Sequence, residues 1–407
     1  MSNETYLVSE FPAGKAKTLI TKIQKIAREN GSEARIVGGA VRDWLLGKPV
    51  RDLDMAVNMP IIRFIDILNK HKIKFYKTGV SHGTITVVQG DVSIEITQTR
   101  VDVKSDGRHS DVEPITDWAI DANRRDFSVN AIYLTEAGTL YDPHDGLSDI
   151  QNKTLKFIGS ADARIEEDYL RILRAFRFLA CLKGFMLPNT DIQAIKRHCQ
   201  KLKTLSKERV TEEIAKLLAA ENPILALNLA QKIGLDKRGF GFDFFLNNLK
   251  VPQLKRAFLH LDWIARLAAI TPMNEKNTVY GLIQFSRQQQ KRFEHLMIGI
   301  TKTEATLLTS KDWKKIAYWH ATDIQDKARI YAIKNGFIFS KSLRDNLDTF
   351  KKPNFPISGE DLKKLGWKSG PILGKKLLEL ENMWVANDFE LPLEINISPK
   401  YTNNDLN

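Results

Sequence analysis

Apolar residues at Leu19, Ile20, Ile23, Ile26 and Ala27 recur every three or four positions and predict a helix over 15–30, closed by Asn30-Gly31. The pattern then shortens. A buried strand over 33–37 runs into a Gly38-Gly39 turn, and one or two helical turns over 41–46 stop at Gly47-Lys48-Pro49. Strict alternation over 52–58 predicts a second strand, with Leu53, Met55 and Val57 on the core face and Asp52, Asp54 and Ala56 on the other. An amphipathic helix over 61–70 follows. Two strands, 84–88 and 92–97, flank Gly90-Asp91 as a hairpin, with Ile94 and Ile96 facing one way and Ser93, Glu95 and Thr97 the other. The polar stretch 100–118 carries a Gly and a Pro and reads as a mobile loop or a plain surface connection.

From residue 161 onward the period is helical throughout. One long helix is predicted over 161–183, and a capped helix begins after Ser206. The helical pattern continues over 217–234, and a Gly/Phe-rich break at 239–247 marks a hinge or boundary. Further helices are expected over 255–269, 286–300, 311–320 and 326–335, with a helix pair inside 356–389. The fold class is therefore α+β: an N-terminal mixed-sheet head over 1–145, then an all-helical neck (146–235), body (236–310) and tail (311–407).

Composition narrows the partners. Sixty-one Lys and Arg against 49 Asp and Glu give +12, which points to a polyanion such as a nucleic acid. Cys181 and Cys199, the only cysteines, form neither a disulfide framework nor a zinc site, so a reducing compartment is expected. The first residues lack an apolar signal region and no run reaches membrane-spanning length; the protein is expected in the cytoplasm, with no membrane partner.

Two carboxylates on one strand face, Asp52 and Asp54, repel one another, and a divalent cation relieves that cost; oxygen-only ligands suit magnesium. Glu95 is either a third carboxylate beside them or an exposed strand residue. The Gly38-Gly39 turn and the helix start after it can bring backbone N–H groups to a phosphate. Taken alone, a Gly-Gly is a turn, and Arg124-Arg125-Asp126 is a charged helix start. Glu167-Asp168 with Arg171, Arg174 and Arg177 is either a solvated salt-bridged face or a stripe aimed at a ligand. In the tail, Lys363, Lys364, Lys368, Lys375 and Lys376 form either a reader of a phosphate backbone or a solvated lysine face. The turn His144-Asp145 lacks a second histidine at metal-site spacing, and His82 and His109 sit in loops; none is read as a ligand.

In combination the segments are more specific. GGAVRDWLLG followed by RDLD resembles the signature of the DNA polymerase beta nucleotidyltransferase superfamily, in the form carried by class II tRNA nucleotidyltransferases and bacterial poly(A) polymerases. RRDFSVNA (124–131), YDPHDG (141–146), EDYLRILRAFRF (167–178) and LSKERVTEE (205–213) resemble four further motifs of that family, in order. The resemblance implies a nucleotidyltransferase head and template-independent addition of C, C and A to a tRNA 3′ end from CTP and ATP. It assigns Asp52 and Asp54 as catalytic magnesium ligands, with Glu95 or a substrate oxygen third. Gly38, Gly39 and Arg42 would cradle phosphates, Arg125 the nucleotide, and Asp126 its ribose. Asp168 and Arg171 would read the base edge, while Arg174 and Arg177 would add charge near the triphosphate. LSKERVTEE would brace the neck, and the tail would grip the tRNA acceptor arm; no obligate protein partner is expected. Enzymes adding only A or only CC share these motifs. An arginine-rich segment like that of poly(A) polymerases is not apparent near GRHSD (107–111), which favours the tRNA enzyme. A silent RNA-binding relative is disfavoured because both aspartates are present.

Overall fold

The computed structural model describes residues 14–50, 52–105, 110–320 and 323–391, with the backbone alone for 102–105 and 110–112. The head is built on a seven-stranded mixed sheet. Its strands are β1 (Ala34–Val37), β2 (Asp54–Val57), β3 (Phe75–Gly79), β4 (Thr84–Gln89), β5 (Val92–Gln98), β8 (Tyr133–Leu134) and β9 (Leu140–Tyr141). They lie in the order β3-β4-β5-β2-β1-β8-β9. β4 and β5 pair antiparallel about Gly90-Asp91, as the alternation predicts. β2 lies antiparallel to β1 and parallel to β5, in a register that sets Asp54 beside Glu95. Met55, Val57, Ile94 and Ile96 are buried, so the carboxylate-bearing positions fall on the opposite side of the pleat. Helices α1 (Gly14–Glu29), α2 (Gly39–Leu45) and α3 (Ile61–Lys70) follow the predicted spans closely.

The stretch expected to be a loop is a ribbon. Among the described residues, β6 (Arg100–Ser105) and β7 (Ser110–Pro114) pair only with each other. The alternation of Val101 and Val103 with polar neighbours carries that strand, even though no seven-stranded sheet partner stands beside it. Of the GRHSD segment, 107–109 lies outside the described residues.

α4 (Trp118–Asn123) and α5 (Gly146–Gln151) close the head. Asp142 Oδ1 accepts from the Gly146 N–H at 2.9 Å and Oδ2 from that of Leu147 at 2.8 Å, fastening the turn expected to join head and neck. A Cβ on Gly146 would meet the Ser128 carbonyl oxygen at 2.4 Å, and backbone cannot yield as a side chain does. Gly146→Ala is therefore expected to destabilise by about 2 kcal/mol or more in chemical denaturation. An unchanged denaturation midpoint would show that this turn is not tightly packed.

The helix predicted over 161–183 is two helices, α6 (Ala161–Glu167) and α7 (Leu170–Cys181). Asp168 between them has extended backbone (φ −157°, ψ 105°), and its Oδ1 accepts from the Leu170 N–H at 3.0 Å. Asp168 thus ends one helix and caps the next, so it does not share a helical stripe with Arg171, Arg174 and Arg177. α8 (Asn189–His198), α9 (Lys207–Ala219) and α10 (Pro223–Ile233) complete this part; Ser206 occupies the N-cap of α9 without a side-chain cap bond.

The chain divides into two compact units: residues up to Phe244 with Asn277–Gln284, and Phe245–Lys276 with Phe285 onward. The boundary falls inside the Gly/Phe-rich break. The second unit is helical, and its predicted 255–269 helix is split at Asp262, whose Oδ1 caps Ile264 and Ala265. Lys363, Lys364 and Lys376 in its final helix pair bond to Glu360, Asp361 and Glu379 one helical turn away.

Candidate active site

Gly38 ends β1 with φ 75°, ψ −136°, a left-handed geometry that suits glycine alone. A Cβ there would lie 3.6 Å from Arg125 Nη1 and 4.0 Å from Asp54 Oδ2. The bare backbone therefore lets a cation and a carboxylate flank the turn. This turn lines a cleft of about 500 Å³ together with Gly39, Arg42, Asp54, Arg125, Asp126, Asp168, Arg171, Arg174 and Arg177. These predicted residues converge although they come from positions 38 to 177. Asp52 and Glu95 do not line the cleft. Both are exposed, and they stand near enough to Asp54 to act on its charge.

Asp54 opens β2, half-buried. Burial, then Glu95, push its carboxyl up to about 6; Asp52 adds to the rise and Arg125 opposes it.

The rest of the lining is cationic and tightly wired. Arg42 Nη1 donates to Asn130 Oδ1 at 2.6 Å, and Asn130 Nδ2 donates to Asp126 Oδ1 at 3.1 Å. Asp126 is buried, and its Oδ2 accepts from Arg174 Nε at 2.7 Å. Burial alone would raise the Asp126 carboxyl, but Arg174, Asn130 and the Phe127 N–H hold it below the usual range. The same contact raises Arg174. Arg177 Nη1 donates to Glu213 Oε1 at 2.9 Å, yet burial still lowers the Arg177 guanidinium. Arg125 donates to the Tyr133 hydroxyl at 3.0 Å and to Asp121 Oδ2 at 3.2 Å, while Tyr133 also donates to Asp121 at 2.7 Å. Asp121 is fully buried, and Arg125 and Arg124 overcome its desolvation to hold it ionised.

Arg171 is anchored by Nη1 to the Arg164 carbonyl at 2.9 Å and Glu167 Oε2 at 2.6 Å, and by Nη2 to the Arg124 carbonyl at 3.2 Å. Asp168 Oδ2 accepts from Arg209 Nη2 at 2.7 Å. Arg124 and Arg209 line the cleft and sequence reasoning did not single them out as site residues, nor the braces Asp121, Asn130, Tyr133 and Glu213. Arg124 stands next to Arg125 and was within reach of the motif. Arg209 lies 41 positions from Asp168, beyond any local pattern.

A family model described as the poly A polymerase head domain matches residues 34–156, and one described as the probable RNA and SrmB-binding site of polymerase A matches 184–238. The chain is 41% identical over 386 residues to a CCA-adding enzyme of Streptococcus pyogenes, covering 92% of each. It is 32% identical over 382 residues to the mitochondrial CCA tRNA nucleotidyltransferase 1 of Danio rerio, covering 91% of this chain and 87% of that one. Its fold matches the crystal structure of the Bacillus stearothermophilus CCA-adding enzyme in complex with CTP, with a TM-score of 0.73 at 23% identity over 93% of this chain and 95% of that one.

Proposed function

This chain belongs to the class II CCA-adding enzyme and poly(A) polymerase family, and from that premise we propose how its own residues divide the work. It is a nucleotidyltransferase that adds C, C and A to the 3′ end of tRNA from CTP and ATP without a nucleic-acid template, releasing pyrophosphate. The observation that carries the division of labour is one cleft where Asp54 and the Gly38 turn share a lining with Asp168, Arg171 and a wall of arginines.

The carboxylates at and around Asp54 fit magnesium. Their donors are carboxylate oxygens only, and burial, with repulsion from Glu95 and Asp52, holds Asp54 at about 6. Among the described residues no three His, Cys, Asp or Glu side chains are pregrouped as a metal site. Asp52 and Asp54 are the proposed ligands, with Glu95 or a substrate oxygen third. When bound, magnesium makes the RNA 3′-hydroxyl nucleophilic and neutralises charge on the triphosphate. Arg42, held by Asn130 and Asp43, and Arg125, held by Tyr133 and Asp121, present oriented guanidinium groups to the phosphates. Asp126 orders this wall through Arg174 and Asn130, and its proposed place near the ribose rests on the family likeness. Because these donors are already oriented, little reorganisation is needed as charge builds on the leaving pyrophosphate.

Asp168, an acceptor, and Arg171, a donor, meet the Watson–Crick edge of the incoming base. Cytosine and adenine both place an exocyclic amine beside a ring-nitrogen acceptor; uracil and guanine invert that order. The helical units are proposed to grip the tRNA acceptor arm, and two free cysteines favour the cytoplasm. Among the described residues no helix is long and apolar enough to cross a membrane.

Incubation with tRNAs ending before, within and after CCA, plus labelled CTP or ATP and magnesium, tests the reading. Addition should complete a single CCA and stop. Long A tails would identify a poly(A) polymerase instead, A-only or CC-only products a partial enzyme, and no incorporation a silent relative.

A further inference from the structure

We infer that Arg209 is a positioning residue for base choice: it holds the Asp168 carboxylate in the orientation that meets the nucleotide. The inference rests on the reading that Asp168 contacts the base.

Asp168 sits in the gap between α6 and α7, on extended backbone, where no surrounding helical turn restrains its side chain. Two contacts do so instead. The Leu170 N–H holds Oδ1 at 3.0 Å and Arg209 Nη2 holds Oδ2 at 2.7 Å, so the plane of the carboxylate is set from both sides. Each oxygen keeps a lone pair for a further donor. Leu170 supplies its contact through backbone next to Asp168, whereas Arg209 arrives from the first turn of α9. That helix is rigidly seated: Val210, Ile214 and Leu217 are buried, and Glu213, one turn on, bonds to Arg177 at 2.9 Å. Arg209 therefore transmits the position of a packed helix to a carboxylate that lies at a helix break.

The Asp168–Arg209 pair is partly exposed, at 21% and 32% of side-chain area. A single ion pair at a partly exposed position adds only modestly to stability, so its main consequence is geometric. Arg209 also lines the cleft without belonging to the α7 row. A Watson–Crick edge is read by donors and acceptors set within tenths of an ångström, and a carboxylate free to rotate accepts from the wrong edge through water or an alternative rotamer.

The test measures kcat and KM for CTP against UTP, and ATP against GTP, on the full chain with tRNA ending one nucleotide short of each step. The variants are R209A, R209K, D168A and the double D168A/R209A, with Tm recorded for each. Arg209→Ala should lower discrimination about tenfold, mainly through a raised KM for the correct nucleotide, with Tm near that of the unmodified protein. Arg209→Lys, which keeps a point charge without the planar fork, should recover part of it. In the D168A background, removing Arg209 should change nothing further. If R209A keeps full discrimination while D168A loses it, Arg209 has no positioning role and the base-reading assignment stands. Equal losses in both backgrounds would mean that Arg209 touches the nucleotide itself, which overturns the inference. Retained discrimination in D168A overturns both. Should R209A fail to fold, R209K against the unmodified protein carries the same comparison.

Discussion

Asp54→Asn should abolish nucleotide incorporation, by roughly 10³-fold or more, and yet unfold at a higher temperature than the unmodified protein in metal-free buffer at pH 8. Both halves follow from one position. Asp54 opens a strand whose parallel neighbour sets Glu95 beside it, and Asp52 lies two residues upstream. Burial and those carboxylates lift its carboxyl from 3.8 to about 6. A carboxyl whose folded-state value is raised favours folding only while it is protonated. Below pH 3.8 it is protonated in both states and costs nothing; as pH climbs through 6 the folded state must give up the proton, and the cost reaches about 3 kcal/mol. Asparagine never ionises, so its advantage should be full above pH 6 and fade between pH 6 and 4. Magnesium should reverse the ranking by binding the native carboxylates alone. Thermal melts of both proteins at pH 8 and pH 4, with and without magnesium, read this directly. A variant less stable than the parent in metal-free buffer would mark Asp54 as a structural hydrogen-bond acceptor instead.

The parts of this site that were legible in the chain are those with a short period. Alternation of Leu53, Met55 and Val57 against Asp52 and Asp54, and of Ile94 and Ile96 against Glu95, placed both carboxylate strands, and their register follows once the apolar faces share a core. The break at Asp168 was hidden because Leu170, Leu173 and Phe176 extend the apolar pattern begun by Ile165, and apolar period is blind to a helix that ends and restarts in phase. The signal present was the aspartate itself, two residues before an N–H it caps. The ribbon of Arg100–Ser105 and Ser110–Pro114 has the sequence of a loop, because the Gly and Pro of that stretch outweigh a brief alternation. Arg209 and Glu213 meet their partners across folds of the chain, 41 and 36 positions apart. Only tertiary structure makes such contacts, and they determine how firmly the motif residues are held.

Removing Arg171 or Asp168 should degrade base selection before it degrades chemistry. Arg171 spends part of its guanidinium on Glu167 and two carbonyls, at 2.6, 2.9 and 3.2 Å, which leaves the Nε–H and one Nη2–H of its fork for a ring nitrogen. Asp168 keeps a lone pair on each oxygen for an exocyclic amine. Against uracil or guanine both contacts become like against like, with acceptor facing carboxylate and donor facing guanidinium. Such mismatched buried polar groups cost far more than a lost methylene. Asp168→Ala or Arg171→Ala should therefore narrow the CTP-to-UTP and ATP-to-GTP preference by about 100-fold. Residual turnover should persist, because Asp54 and the Arg42–Asn130–Asp126 wall are untouched. Competition assays with mixed nucleotides, scored by product sequence, separate the two effects. Equal loss of rate with all four nucleotides would instead place these side chains in support of α7 alone. Preserved selection would require that the base edge be read elsewhere on the cleft, with Arg124 as the next donor in reach of the same wall.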